Sequence, residues 1–595
     1  MSASLRRIIL AVFLPCLLGG STLTTSALVP LDPGRPQPQQ LAPNVASYRM
    51  NVRLDPATKT ISGTQRMTYI NPSSDTLNEI WLRLYLRAFR DSKTTWMREY
   101  GRWNDALPAE FVGDITLNSL TLAGGADLLA SATLTDTLLR VPLPQPLLPA
   151  QSIELDMAWV SQLPRVFART GYGGRDNTFF MVGQWYPKMA VYDRGRWDTE
   201  PWHANAEFFN DFGSYDVRIT VPEGYLVAGA GVPAEAAAND DGTQTLHYSA
   251  ADVTDFAFAA SPDFLIRGVT IGSVDIALYY LPEHTAAADA YLAVAAEALQ
   301  MYGTWYGAYP HPRLTIVDVP DDATAAGGME YPTLITSEVG SLGSGYRWLA
   351  YITAHEIGHQ WWPMQTSTNE AAAPWLDEGL TEYTGIRYMA DSPRGWGSGD
   401  AVAFEQSLYA AQASEPATLP AWQYINGAYV VVYSKTALGL WTLEGVAVTD
   451  RFRHAMASYL TQYRFKHPNS ADFRAALEGE LGDLAWLFDD YMSASGVIDY
   501  AIAQIEQSDV ASTVRVVRKG AVRVPIDILV TFSSGAQQQQ IWDGQATSLE
   551  LKFPAGNPVV RAEVDPKRKL KAELNRLDNS IGTWHFMLPI LRLGA

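Results

Sequence analysis

His355-Glu356-Ile357-Gly358-His359, followed by Glu378 in Trp375-Leu376-Asp377-Glu378-Gly379, constrains this chain more than any other feature. A helix repeats every 3.6 residues, so His355 and His359 stand one turn apart on a single face. Two imidazoles so placed grip one divalent zinc from the same side. Glu378 lies far enough downstream to come from a second helix and complete three protein ligands. The fourth position then stays open to water, which separates a catalytic zinc site from a structural one. Leu349, Ala350, Tyr351 and Ile352 precede the motif, and Trp361 and Trp362 follow it. A polar quintet inside so apolar a helix is costly to bury unless its groups are paired or bound to metal.

Composition sets the frame. The chain has 595 residues, with 47% hydrophobic and 18% charged, enough for several buried cores and too long for one ordinary domain. A net charge of -19 argues against nucleic acid or an anionic membrane surface as partner. Arg6 and Arg7 followed by the apolar stretch Ile8 to Leu18, with Thr25-Ser26-Ala27 beyond, read as an export signal over residues 1–27. That stretch is too short to span a bilayer. The single cysteine, Cys16, lies inside it; a lipidated-cysteine reading is disfavoured because Pro15 stands where a small residue is wanted. Removal of the signal leaves a chain with no cysteine, no disulfide and no transmembrane span, secreted or associated with the cell envelope.

Residues 28–43, rich in proline and glutamine, read as a solvated linker. Alternating runs such as Tyr48 to Leu54 and Gly63 to Ile70, separated by turn clusters, predict a β domain over 44–266. Helical spacing then dominates, with helices expected at Ala287 to Trp305, Tyr346 to Trp362, Leu376 to Met389, Val430 to Glu444, Asp450 to Phe465, Ser470 to Leu481 and Leu484 to Ser495. These place a catalytic domain at 267–505. Five short strands between Val514 and Val564 predict a β-sandwich over 506–595, with the apolar segment Trp584 to Leu593 docking on the body. The fold class is multidomain α+β.

Gly327-Gly328-Met329-Glu330-Tyr331-Pro332 lies shortly before the zinc motif; a glycine pair lets backbone approach a ligand, and Glu330 can hold a cation. With this loop the chain resembles the gluzincin zinc aminopeptidases, the family of alanyl aminopeptidase and leukotriene A4 hydrolase. Their shared pattern is a Gly-x-Met-Glu-Asn loop, then HExxH, eighteen residues and Glu; the same eighteen-residue gap separates His359 from Glu378. Gln184-Trp185-Tyr186-Pro187 and Ala259 to Phe264 extend the likeness. The resemblance implies a saddle-like N-terminal β domain, a thermolysin-like catalytic domain and a C-terminal β-sandwich, in a short bacterial-type member without the large helical terminal domain. It implies one Zn²⁺ per chain on His355, His359 and Glu378, with Glu356 as general base. Gly327, Gly328, Met329 and Glu330 would bind substrate, Glu330 taking the free α-amino group of a peptide. Tyr433 in Tyr433-Ser434-Lys435-Thr436-Ala437 resembles the family's oxyanion-stabilising tyrosine. The chain departs from the pattern at Tyr331, where the family has asparagine, and at Thr436, where it has glycine. Glu382, one turn after Glu378, either orients a ligand histidine or faces solvent. The implied activity is removal of N-terminal residues from peptides. A thermolysin-like endopeptidase needs no amine anchor, and a non-catalytic peptide-binding scaffold has no physical need for Glu356.

Overall fold

A computed structural model describes residues 41–103, 106–339, 346–424 and 428–582. The expected export signal, most of the linker and the apolar segment Trp584 to Leu593 lie outside these residues. Among the described residues no helix is long and apolar enough to cross a membrane.

The N-terminal domain is built on a seven-stranded sheet in the order Val232–Ala238, Thr243–Val253, Gly213–Pro222, Ala46–Asp55, Thr60–Ile70, Ser152–Gln162, Asp114–Leu122. All neighbours are antiparallel except Ala46–Asp55 with Gly213–Pro222, which run parallel in the register Tyr48 to Tyr215. Ala46–Asp55 alternates as its sequence demands: Tyr48, Met50, Val52 and Leu54 are buried and Arg49, Asn51 and Arg53 are not. A second, four-stranded sheet containing Phe179–Val182 and Phe258–Ser261 is buried on both faces, so those strands are unbroken apolar runs rather than alternating ones. The last residues of the expected linker are not a solvated tether. The amides of Leu41 and Ala42 donate to the two oxygens of Asp252, at 3.0 and 2.7 Å, and dock the chain against the seven-stranded sheet.

The middle of the chain joins a four-stranded sheet, Leu265–Ile271, Val274–Tyr280, Arg313–Asp318 and Leu334–Ser337, to a group of helices. These are α1 (Ala288–Tyr306), α2 (Arg347–His359), α3 (Glu378–Asp391), α4 (Ser398–Ala410), α5 (Val431–Ala447), α6 (Thr449–Tyr463) and α7 (Ser470–Leu481). The helix α4 was not among the predicted elements; its buried side is one narrow stripe, Ala401, Glu405 and Tyr409, interrupted by an acid. The C-terminal strands form a three-stranded and a four-stranded sheet, the β-sandwich expected from their spacing. The expected boundary after residue 505 falls inside the strand Tyr500–Gln507. That strand pairs with Ala511–Arg518 and so belongs to the sandwich, although its weak alternation did not reveal it.

The β domain and the helical domain meet at His467. Its Nε2 lies 2.9 Å from Asp211 of the β domain and its Nδ1 donates to the Ser367 carbonyl at 2.9 Å, between the rings of Phe209 and Phe212. Burial alone would push this imidazole down, but Asp211 and the Ser367 carbonyl hold it above its ordinary value of 6.5. A folded-state value above the unfolded one gives stability that is complete below pH 6.5 and is lost as pH rises through the folded value. Replacing His467 with Ala should therefore cost roughly 1.5–3 kcal/mol at mildly acid pH. The melting-temperature gap to the wild type should narrow as pH rises; a gap that widens contradicts the assignment.

Candidate metal centre and substrate site

Helices α2 and α3 are pressed together where the donors converge. A Cβ at Gly385 would lie 3.2 Å from the His355 Cα, so the absence of a side chain there sets how close the two helices come. At this approach His355 Nε2 and His359 Nε2 are 3.2 Å apart, and they lie 3.3 and 3.4 Å from Glu378 Oε2. Bonds of about 2.0–2.1 Å to a tetrahedral zinc would separate donors by about 3.3 Å.

The outer nitrogens explain why the inner ones are free. His359 Nδ1 is 2.7 Å from Asp377 Oδ1 and donates to the Trp362 carbonyl at 2.9 Å. His355 Nδ1 is 2.8 Å from Glu382 Oε2. With both Nδ1 atoms carrying the proton toward acceptors, both Nε2 lone pairs face each other and a carboxylate. Only a cation reconciles three such donors, so the residues fit a zinc ion. Burial would raise Glu378, yet the two imidazoles hold its carboxyl well below the usual range.

Glu382 is fully buried and accepts from Tyr351 Oη at 2.8 and 3.0 Å as well as facing His355; of the two readings open in sequence, it is the orienting one. Glu356, between the ligands, is buried with Oε2 lacking a hydrogen-bond partner among the described residues, and burial pushes its carboxyl up to about 8. Tyr433 on α5 stacks beside the His355 ring at 6.0 Å and donates to Glu378 Oε1 at 2.6 Å. Lys435, two residues on, spends its ammonium on the carbonyls of Ala413, Glu415 and Ala494 and anchors α5 rather than joining the site.

The Gly327 to Pro332 loop lies over the donors because Gln360, next to His359, holds it. Gln360 Nε2 donates to the Tyr331 carbonyl at 3.2 Å, and its Oε1 accepts from the Thr333 amide at 2.8 Å. Gly328 takes φ +65, a glycine conformation, and a Cβ there would sit 3.6 Å from Glu356 Oε1. Gly327 closes the preceding turn on the Thr324 carbonyl. Met329 is turned into the β-domain core, and its carbonyl accepts from Thr336. Of the four loop residues expected at the substrate, Glu330 alone brings a charged side chain to the centre, clustered with Glu356 and His359. Tyr331, the departure from the family pattern, packs against Gly183 of the β domain: a Cβ on that glycine would meet its hydroxyl at 2.1 Å.

Glu330 also belongs to a second cluster, with Glu207 and Glu370, whose carboxylate oxygens lie within 4.8 Å of one another. Glu207 comes from the β domain and pairs with Arg169 of the same domain. Glu370, in the loop between α2 and α3, accepts from the Phe208 amide at 2.7 Å. Burial raises Glu330 and Glu370, the latter strongly. No local pattern marks Glu207, which lies 171 residues before Glu378 in the chain. Glu370 and Asp377 stand at the two ends of the apolar run Ala371 to Leu376, a local cue to burial of both acids.

The peptidase family M1 domain, as a sequence profile, matches residues 291–491, the segment that carries the donors, Glu356 and Tyr433. Over that segment the chain is similar to the peptidase family M1 domain. Among relatives of this family, the chain is 26% identical over 238 residues to aminopeptidase M1-B of Oryza sativa, covering 37% of this chain and 26% of that protein. It is 25% identical over 307 residues to human glutamyl aminopeptidase, covering 47% and 32%. The chain thus spans about a quarter to a third of the length of these curated relatives. The structure is similar to Legionella pneumophila aminopeptidase A in complex with aspartic acid, with a TM-score of 0.64 at 14% identity over 90% of this chain and 60% of that one. It is also similar to an M1 zinc metallopeptidase from Deinococcus radiodurans, with a TM-score of 0.54 at 18% identity over 75% and 93%. These likenesses show the fold alone: an N-terminal β domain followed by a domain of mixed sheet and helices.

Replacing Asp377 with Ala should weaken zinc binding about 10–100-fold in a chelator competition, because the His359 ring loses the carboxylate that lies 2.7 Å from its Nδ1. Unchanged zinc affinity in a folded variant would remove Asp377 from the metal site.

Proposed function

We propose that this chain is a zinc-dependent aminopeptidase that removes N-terminal residues from peptides, with one zinc ion per chain on His355, His359 and Glu378. The observation that carries the reading is the acidic cluster of Glu330, Glu207 and Glu370 beside the donor set. A substrate ammonium gives these buried carboxylates a partner, and its position next to the zinc donors restricts cleavage to the first peptide bond. An endopeptidase would have to push an uncharged peptide backbone past the same three carboxylates. The aminopeptidase names of the relatives support the same reading.

When bound, zinc supplies Lewis acidity to the scissile carbonyl and to the attacking water. Glu356 takes the proton of that water and hands it to the leaving amine; its free Oε2 and raised proton affinity suit both transfers. Tyr433 donates to the oxyanion as the carbonyl turns tetrahedral, an interaction whose loss typically costs roughly 10²–10³ in kcat. Glu330 holds the ammonium. Arg169 pairs with Glu207 and offsets part of the cluster's negative charge. On the sequence of its first 27 residues the enzyme is exported, to act on peptides outside the cytoplasm.

Replacing Glu356 with Gln should abolish turnover of an aminoacyl substrate while zinc content stays at one ion per chain. Wild-type-like activity in that variant would overturn the assignment. Glu330→Ala should raise KM and lower kcat for the same substrate, whereas an endopeptidase would lose little.

A further inference from the structure

The cluster that receives the substrate ammonium is assembled from two domains. Glu207 belongs to the β domain and Glu330 to the loop before α2, yet their carboxylate oxygens lie within 4.8 Å of one another. An ammonium bonded by both needs that gap held closely, because a small misplacement of a binding group is costly. The covalent chain does not hold it, since the two residues are far apart in sequence. Two contacts flanking Glu330 do. Before it, the Ala325 carbonyl accepts from the Arg169 amide at 2.7 Å. After it, Tyr331 crosses to Gly183 of the β domain, where a Cβ would lie 2.1, 2.6 and 3.0 Å from the tyrosine Oη, Cζ and Cε1. Both contacts lead back to Glu207. Arg169 is its ion-pair partner, and the Gly183 amide donates to Thr170 Oγ1, one residue beyond Arg169, at 3.2 Å. Glu330, Tyr331, Gly183, Thr170, Arg169 and Glu207 thus form a closed circuit of contacts.

Tyr331 serves this circuit through its reach. It is 3% exposed, and its hydroxyl has no hydrogen-bond partner among the described residues. A buried hydroxyl left unpaired is a cost, so a polar contact is not what places a tyrosine here. Gly183 says the same from the other side. It does not take the left-handed conformation, so the ring rather than the backbone calls for a missing side chain. The asparagine of the family pattern would be too short to fill that space. Gln360 Nε2 meanwhile donates to the Tyr331 carbonyl at 3.2 Å, which ties the backbone to the helical domain while the ring is tied to the β domain. We propose that Tyr331 is a positioning residue of the amine site: seated over Gly183, it fixes the Glu330 carboxylate against Glu207 and so sets the affinity for a free substrate ammonium.

The inference rests on the aminopeptidase reading, and the test separates the two. Alanine hydroxamate and propionohydroxamate differ only in the α-amino group, and the hydroxamate takes the zinc in both. Their dissociation constants are measured by calorimetry on the zinc-loaded full chain, so that their ratio reports the amine site. Wild type should bind the amine-bearing compound about 10–100-fold more tightly. Tyr331→Ala should cut that preference about tenfold, with propionohydroxamate still bound within about threefold of wild type. Gly183→Ala, which drives the ring away from the β domain, should do the same, and adding it to Tyr331→Ala should cost nothing more. Tyr331→Phe, which keeps the ring, should retain the preference. A wild type without an amine preference overturns the aminopeptidase reading, and this inference with it. A wild-type preference that survives in Tyr331→Ala or Gly183→Ala overturns the inference alone. So do losses that add in the double variant, a Phe variant no better than Ala, or equal losses for both compounds, the mark of a general collapse of the site. Should Tyr331→Ala not fold, Gly183→Ala and Tyr331→Asn carry the same prediction.

Discussion

Everything in the site depends on buried negative charge waiting for a cation. Glu207, Glu330, Glu356, Glu370, Asp377 and Glu378 are each at most 7% exposed. The positive side chain that reaches this group from the β domain is Arg169. Stripping carboxylates of water costs several kcal/mol each unless they are paired or protonated. The fold tolerates the cost in three ways. Imidazoles aim lone pairs inward with Glu378 to receive a metal, Arg169 neutralises Glu207, and the remaining acids are raised toward the protonated form until a substrate ammonium arrives.

The site also explains why two domains are needed. The helical domain alone supplies the metal donors, the base and the tyrosine, all on α2, α3 and α5 or the loop under Gln360. On the proposed reading, that set suffices to cleave a peptide bond but not to choose which one. The choice comes from Glu207 and Arg169 of the β domain, brought against Glu330 and Glu370 by the junction that His467, Tyr331 and the Phe208 amide hold together. On the proposed reading, hydrolysis belongs to one domain and confinement to the amino terminus to the interface.

The metal centre was legible in the sequence because helical periodicity turns a local spacing into a shared face: His355 and His359 were bound to meet, and the gap to Glu378 admitted a second helix. The loop at Glu330 and the tyrosine at 433 were legible through resemblance, and the β and helical regions through their periods. The rest was not local. Glu207 reaches the site from a different domain, and no spacing connects it to the zinc motif. Glu405 sits on a helix whose buried stripe is too narrow to stand out, and an acid at its centre reads as a solvent-facing residue. The strand Tyr500–Gln507 buries its first three residues and then leaves both faces partly wet, so alternation could not mark the start of the sandwich. Met329 looked like part of the substrate loop by position, but its apolar side chain was claimed by the neighbouring core.

The most direct test is one set of peptides, each prepared with a free and with an acetylated N-terminus, digested by the wild-type protein and read by mass spectrometry. The account predicts single residues lost from free N-termini and no cleavage of the acetylated partners, because only a free ammonium satisfies the cluster at Glu330. Internal cuts in both forms would leave the zinc site in place and contradict the central claim that buried acid at the domain interface makes this enzyme an aminopeptidase.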